Sequence, residues 1–126
     1  MKKIITTDKA PAPIGPYNQA VLLGNLLYTS GQIAINPKTG ALEIDDIEKE
    51  TKLVMENLKA ILEEAGMTFE NVIKSSIFVS DMHNFSKINK VYGQYFNAET
   101  APARETVEVA NLPKFVNVEI SVIASS

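Results

Sequence analysis

Pro102-Ala103-Arg104-Glu105-Thr106-Val107-Glu108-Val109, the break at Leu112-Pro113, and Val116-Asn117-Val118-Glu119-Ile120-Ser121-Val122-Ile123 make up most of the last quarter of this 126-residue sequence. In the second segment Val116, Val118, Ile120 and Val122 alternate with Asn117, Glu119, Ser121 and Ile123. One face is therefore wholly apolar and the other mixed, the pattern of a strand buried on one side of a sheet and partly covered on the other. The two segments read as a hairpin-like pair that carries one arginine and one carboxylate. Arginine grips a carboxylate through two parallel hydrogen bonds, and a glutamate held in a partly apolar strand can carry protons. A structural Arg–Glu pair bridging neighbouring strands is the plainer alternative.

Moving outward, Ala20 to Leu23 and Leu26 to Ser30 flank Gly24-Asn25, a two-residue connection suited to a hairpin turn of the primed type. Asn36-Pro37-Lys38-Thr39-Gly40 is a second turn, and Ala10-Pro11-Ala12-Pro13-Ile14-Gly15-Pro16 reads as an extended surface loop. From Asp45 the period becomes helical. Ile47, Thr51, Val54, Leu58, Ile61, Leu62 and Ala65 form one stripe, Asp45 and Glu48 a variant capping box, and Gly66 a stop. Val72 to Val79 reads as a strand, after which Ser80 or Asp81 caps a second helix with Phe85, Ile88, Tyr92 and Phe96 on its apolar face. The order ββ-α-β-α-ββ predicts an α+β fold, a single domain over 1–126 with a mixed sheet covered on one face by two helices. Such a layer leaves the other sheet face uncovered, and its apolar members predict an association surface.

Composition narrows the chemistry. There are no cysteines, which excludes disulfides and thiolate ligands, and the lone His83 belongs to no group with metal-ligand spacing. His83 reads as a surface residue, and Met55, Met67 and Met82 as core or loop filler. Twelve basic and fifteen acidic residues give a net charge of −3, unfavourable for a phosphate backbone, so nucleic acid is not expected as a partner. No segment approaches the roughly 20 apolar residues of a membrane span, and the basic start Met1-Lys2-Lys3 is not followed by a signal-like apolar run. The expectation is a cytoplasmic protein without a membrane partner.

Gly15-Pro16-Tyr17-Asn18-Gln19-Ala20, Thr29-Ser30-Gly31-Gln32-Ile33, Ile88-Asn89-Lys90-Val91-Tyr92, Pro102-Ala103-Arg104, and Leu112-Pro113 followed by Val118-Glu119-Ile120 resemble, in order, the signature blocks of the reactive intermediate deaminase family, also called YjgF/YER057c/UK114. The resemblance runs nearly end to end. It implies a chorismate-mutase-like architecture and a homotrimer with its sheets facing inward and its sites at subunit interfaces. It also implies cofactor-free hydrolysis of 2-imino or enamine acids, such as 2-iminobutanoate and 2-iminopropanoate, to 2-keto acids and ammonia, with no metal. By the same resemblance Arg104 anchors the substrate carboxylate and Glu119 orients or activates water. Tyr17, Ser30, Gly31, Asn89 and Thr106 line the pocket, with Gly31 allowing close backbone approach.

Two positions add physical expectations. Asn89 falls within the apolar arc of the second helix, where an uncompensated carboxamide costs about 1–3 kcal/mol and so needs a partner. Thr106 stands where many family members have cysteine, and in a regular strand Glu105 points to the face opposite Arg104 and Thr106. Two other classes of function attach to the same residues: a small-carboxylate-binding regulator without turnover, and an RNA-directed translation inhibitor or endoribonuclease. The lack of a basic-aromatic stripe counts against the latter.

Overall fold

The structure, a computed structural model, describes all 126 residues. Its elements are β1 (Lys3–Ile5), β2 (Ala20–Leu23), β3 (Leu26–Thr29), α1 (Ile47–Glu64), β4 (Val72–Val79), α2 (Phe85–Gly93), β5 (Ala103–Glu108) and β6 (Val118–Ser125). β1, which pairs antiparallel with β2, is a strand that the sequence pattern does not announce. The Gly24-Asn25 turn joins β2 to β3 as expected, with Gly24 at φ +62°.

The six strands lie in the order β1-β2-β3-β6-β4-β5. The expected hairpin of the last two strands does not form: β6 pairs antiparallel with both β3 and β4, while β5 runs parallel to β4 on its outer side. The physical reason lies in the side chains. Val118, Ile120, Val122 and Ala124 are buried, and the alternate positions of β6 are half-buried, so the strand belongs in the middle of the sheet. The charged β5, with Arg104, Glu105 and Glu108 exposed, tolerates an edge.

α1 connects β3 to β4 and α2 connects β4 to β5, which places both helices on one face. Asp46, one residue later than expected, caps α1 by accepting from the backbone N–H groups of Glu48 and Lys49 at 2.9 and 3.0 Å, a contact worth about 1 kcal/mol. Val54, Leu58, Ile61 and Leu62 pack with Ile77, Ile120 and Val122 in one core of twenty buried residues. α2 begins at Phe85, later than expected, because Asp81 caps a separate 3₁₀ turn over Met82–Asn84. His83 is exposed there, its Nδ1 2.8 Å from Asp81 Oδ1. No helix is long and apolar enough to cross a membrane.

The face opposite the helices is open. Ile4, Leu23, Tyr28 and Val107 are exposed there beside half-buried Phe78 and Ile123, interspersed with Ser76 and Ser121. A monomer rarely leaves so broad an apolar surface to water.

Candidate active site

Register places the two charged residues on opposite faces of the sheet. Arg104 pairs with Ser75 of β4, whose buried hydroxyl receives the Tyr92 O–H of α2 at 2.9 Å, so this register position faces the helices. Glu119 pairs with Phe78, three residues along β4, and so faces the open side. Neither residue has an ion-pair partner. The structural Arg–Glu pair is thereby excluded within one subunit.

Arg104 is nonetheless held firmly. Its Nη1 donates to Asn89 Oδ1 at 2.7 Å, and its guanidinium carbon lies 5.5 Å from the Phe85 ring centroid and 5.1 Å from that of Tyr92. Two aromatic faces and one amide fix the fork without neutralising it. Asn89 thus has the partner its position demanded, although it is exposed rather than set in the core, because α2 stands over the edge strand and its outer flank meets solvent. Thr106 follows Arg104 on the same face, and both line a shallow groove with Phe85 and Ser86. The Thr106 hydroxyl oxygen is buried and makes no hydrogen bond within the subunit. An unsatisfied hydroxyl costs about 1–3 kcal/mol, a local penalty that no partner in the chain offsets. Glu105 points the other way as expected, toward Lys74 at 2.9 Å and the Ser76 hydroxyl.

Tyr17, Ser30, Gly31 and Glu119 gather instead in a cleft of about 380 Å³ on the open side, walled by Ile33 and Pro113. Glu119 is half-buried and accepts no hydrogen bond from the chain; burial pushes its carboxyl above the ordinary carboxylate range. Ser30 Oγ donates to the Asn18 carbonyl at 2.5 Å, which leaves the oxygen's lone pairs to receive a donor. The Tyr17 hydroxyl accepts weakly from the Ile14 N–H at 3.4 Å.

Gly31 has a role that its triplet does not reveal. A methyl group at this position would lie 2.6 Å from Glu119 Oε2, 2.7 Å from its Cδ and 2.9 Å from its Cγ, so the missing side chain is the space Glu119 occupies. Gly31→Ala is expected to swing Glu119 aside and cut turnover about tenfold, roughly 1.4 kcal/mol. The melting temperature should move little, because position 31 is exposed. Steady-state rates beside a thermal melt check this, and unchanged turnover would mean that the present Glu119 rotamer is irrelevant to the chemistry.

Three supporting residues escaped the pattern. Buried Gln19 accepts from the Thr7 N–H at 2.8 Å and donates to the carbonyls of Thr7, Ala10 and Pro11 at 3.0, 3.2 and 2.8 Å, pinning the proline-rich loop over the cleft. Buried Asn57 donates to the Ile33 and Ile35 carbonyls at 3.3 and 3.1 Å and fixes the cleft's far wall. Buried Glu50 binds the start of β6. Glu50 and Asn57 interrupt the apolar stripe of α1, and a polar residue at a buried helical position is the signal that would have found them.

A mixed sheet in this strand order, with both helices on one face, defines the YjgF class of α+β domains. The chain belongs to the endoribonuclease L-PSP family, whose model matches residues 7–126, the group also known as YjgF/YER057c/UK114. It is 52% identical over 124 residues to a RutC family protein of Pyrococcus horikoshii, covering 98% of both chains. It is 46% identical over 126 residues to the 2-iminobutanoate/2-iminopropanoate deaminase of Salmonella typhimurium, again covering 98% of both. The crystal structure of Escherichia coli TdcF with bound serine matches with a TM-score of 0.93 at 44% identity, covering 98% of each chain.

Proposed function

We propose that this protein is a cytoplasmic, cofactor-free deaminase that hydrolyses small 2-imino acids, working as a homotrimer whose sites form between subunits. The observation that carries this reading is the division of the polar groups. An unpaired, pre-stacked arginine stands on one face of the sheet and an unpaired, desolvated glutamate on the other, so neither half is complete alone. A ring of copies would set the Arg104 groove of one subunit against the Glu119 cleft of the next, and would cover the apolar open face at the same time. Relatives named for iminobutanoate deamination, and one holding serine, a small molecule with a carboxylate, support the substrate class.

In the completed site Arg104 receives the substrate carboxylate through its free guanidinium edge while Asn89 keeps the fork oriented. Glu119, its basicity raised by burial, takes a proton from water as the oxygen bonds to the imine carbon, then returns that proton to nitrogen. The carbon–nitrogen bond breaks to expel ammonia, and as the carbonyl forms the hydroxyl proton passes by way of Glu119 to that ammonia. The iminium form plus water therefore gives the 2-keto acid plus ammonium. The Ser30 hydroxyl, whose lone pairs remain free, would steady the nitrogen, and Thr106 would shape the groove beside Arg104. Positioning and modest electrostatic stabilisation suffice, because imines already hydrolyse readily in water.

The test is ammonia release from freshly generated 2-iminobutanoate, with and without the protein. Faster release at catalytic protein concentration supports the reading. Release at the background rate, with tight binding of a 2-keto acid, would point instead to a regulator without turnover.

A further inference from the structure

Glu50 is a fully buried carboxylate on α1 that has no cationic partner. An isolated carboxylate in a core is costly unless donors surround it, and an apolar side chain would fill the same space more cheaply. Its donors all come from one place. Oε2 accepts from the backbone N–H groups of Asn117 and Val118 at 2.8 and 3.2 Å, and Oε1 accepts from the Asn117 side-chain amide at 2.7 Å. The residue that follows is Glu119.

The preceding backbone is a tight turn, closed by the Phe115 N–H to the Leu112 carbonyl at 2.9 Å and anchored by buried Leu112 and Val116. Lys114 and Phe115 both take left-handed φ values, +55° and +56°, and Phe115 is exposed. Two consecutive non-glycine residues in that region store strain that only surrounding structure can hold. The chain enters the sheet from this strained turn, and Glu50 supplies the acceptors for the first two N–H groups it presents. On the other side the Asn117 carbonyl accepts from the Ser80 N–H at 3.1 Å, so the residue is clamped between α1 and the end of β4. Pro113, within the same turn, walls the cleft that holds Glu119.

We infer that Glu50 is a positioning residue for the reaction: by gripping Asn117 and Val118 it sets the height and direction at which Glu119 enters the cleft. This rests on the proposed role of Glu119 as base. What matters is the reach of the side chain and its acceptor geometry, not its charge.

Two variants separate reach from charge. Glu50→Gln keeps the length and one carbonyl oxygen able to receive both backbone N–H groups, with the Asn117 amide turning to offer its own oxygen. Glu50→Asp keeps the charge but is one methylene short. Glu50→Gln is expected to hold turnover within about twofold of wild type and to leave the pH midpoint of turnover in place. Glu50→Asp is expected to lower kcat about tenfold with KM changed by less than about twofold, because Arg104 is untouched. The reverse order, with Asp active and Gln impaired or shifted in pH profile, would overturn the inference and make Glu50 an electrostatic group. Loss of melting temperature in Glu50→Asp at full kcat would reduce it to a structural strut and likewise overturn the inference. If Glu50→Asp does not fold, Glu50→Gln decides alone: a normal rate with an unmoved pH midpoint supports positioning, and a tenfold loss or a shifted midpoint contradicts it.

Glu119→Gln is measured beside them on the same substrate. If it keeps full turnover, the assignment of the base fails and the Glu50 role falls with it. If it loses turnover while Glu50→Asp does not, only the Glu50 role fails. A wild-type protein that releases no ammonia above background overturns both.

Discussion

Arg104→Ala is expected to lower kcat/KM about 10²- to 10³-fold, some 3–4 kcal/mol, while the protein stays folded and assembled. Two charge-assisted hydrogen bonds to the substrate carboxylate disappear at once, each worth about 1.5–3 kcal/mol. The fold has little to lose, because Arg104 is exposed on an edge strand and the single hydrogen bond of its side chain goes to exposed Asn89. Arg104→Lys should be nearly as poor. An ammonium is a point charge and cannot reproduce a planar fork stacked on Phe85 and Tyr92 while bonded to Asn89. Steady-state kinetics with a thermal melt checks both variants. Near-normal turnover in the lysine variant would refute carboxylate anchoring at this position.

Glu119→Gln is expected to cut kcat about a hundredfold, roughly 2.7 kcal/mol, the lower end of what a general base contributes, because the substrate also reacts unaided. Affinity for a stable mimic such as 2-oxobutanoate should change much less, since the mimic's charge is held by Arg104. In the wild type, turnover should rise with pH through a midpoint above the ordinary carboxylate range, the direction in which burial moves this group. Stability carries the opposite sign. A carboxyl whose folded pKa is raised binds its proton more tightly when folded, so it destabilises the fold progressively as pH climbs from the unfolded to the folded value. Above that window the penalty is complete. Glu119→Gln should therefore melt no lower, and slightly higher, than wild type at neutral pH, with the difference gone in acid. A variant that loses rate and stability together would show that Glu119 is structural.

How much of this was legible in the sequence depended on the range of each interaction. The hairpin at Gly24-Asn25, the helical stripe from Ile47 to Leu62 and the alternation of Val118, Ile120 and Val122 are local patterns, and the structure follows them closely. Strand order is not local. Nothing within residues 102 to 123 says that β4 lies between the two closing strands, although the charged character of Arg104-Glu105-Thr106-Val107-Glu108 was a usable sign of an edge. The same blind spot hid the division of the site: residues that the family blocks bring together on paper lie on two faces of one sheet. Gly31 shows the limit most sharply, because its reason is the side chain of Glu119, eighty-eight positions away in sequence. Glu50 could have been suspected as a charge inside an apolar stripe, but its partners at Asn117 and Val118 could not.

The divided site is tested most directly by mixing two inactive proteins. Arg104→Ala retains an intact Glu119 cleft, and Glu119→Gln retains an intact Arg104 groove. If each site takes its groove from one subunit and its cleft from the next, unfolding the two variants together and refolding them as mixed rings recreates intact sites. Random assembly of equal amounts should restore about a quarter of wild-type turnover, since that is the chance that an intact groove meets an intact cleft across a heterologous interface. Activity no greater than the sum of the two parents, in rings shown to be mixed, would mean that Arg104 and Glu119 do not act together across a subunit boundary.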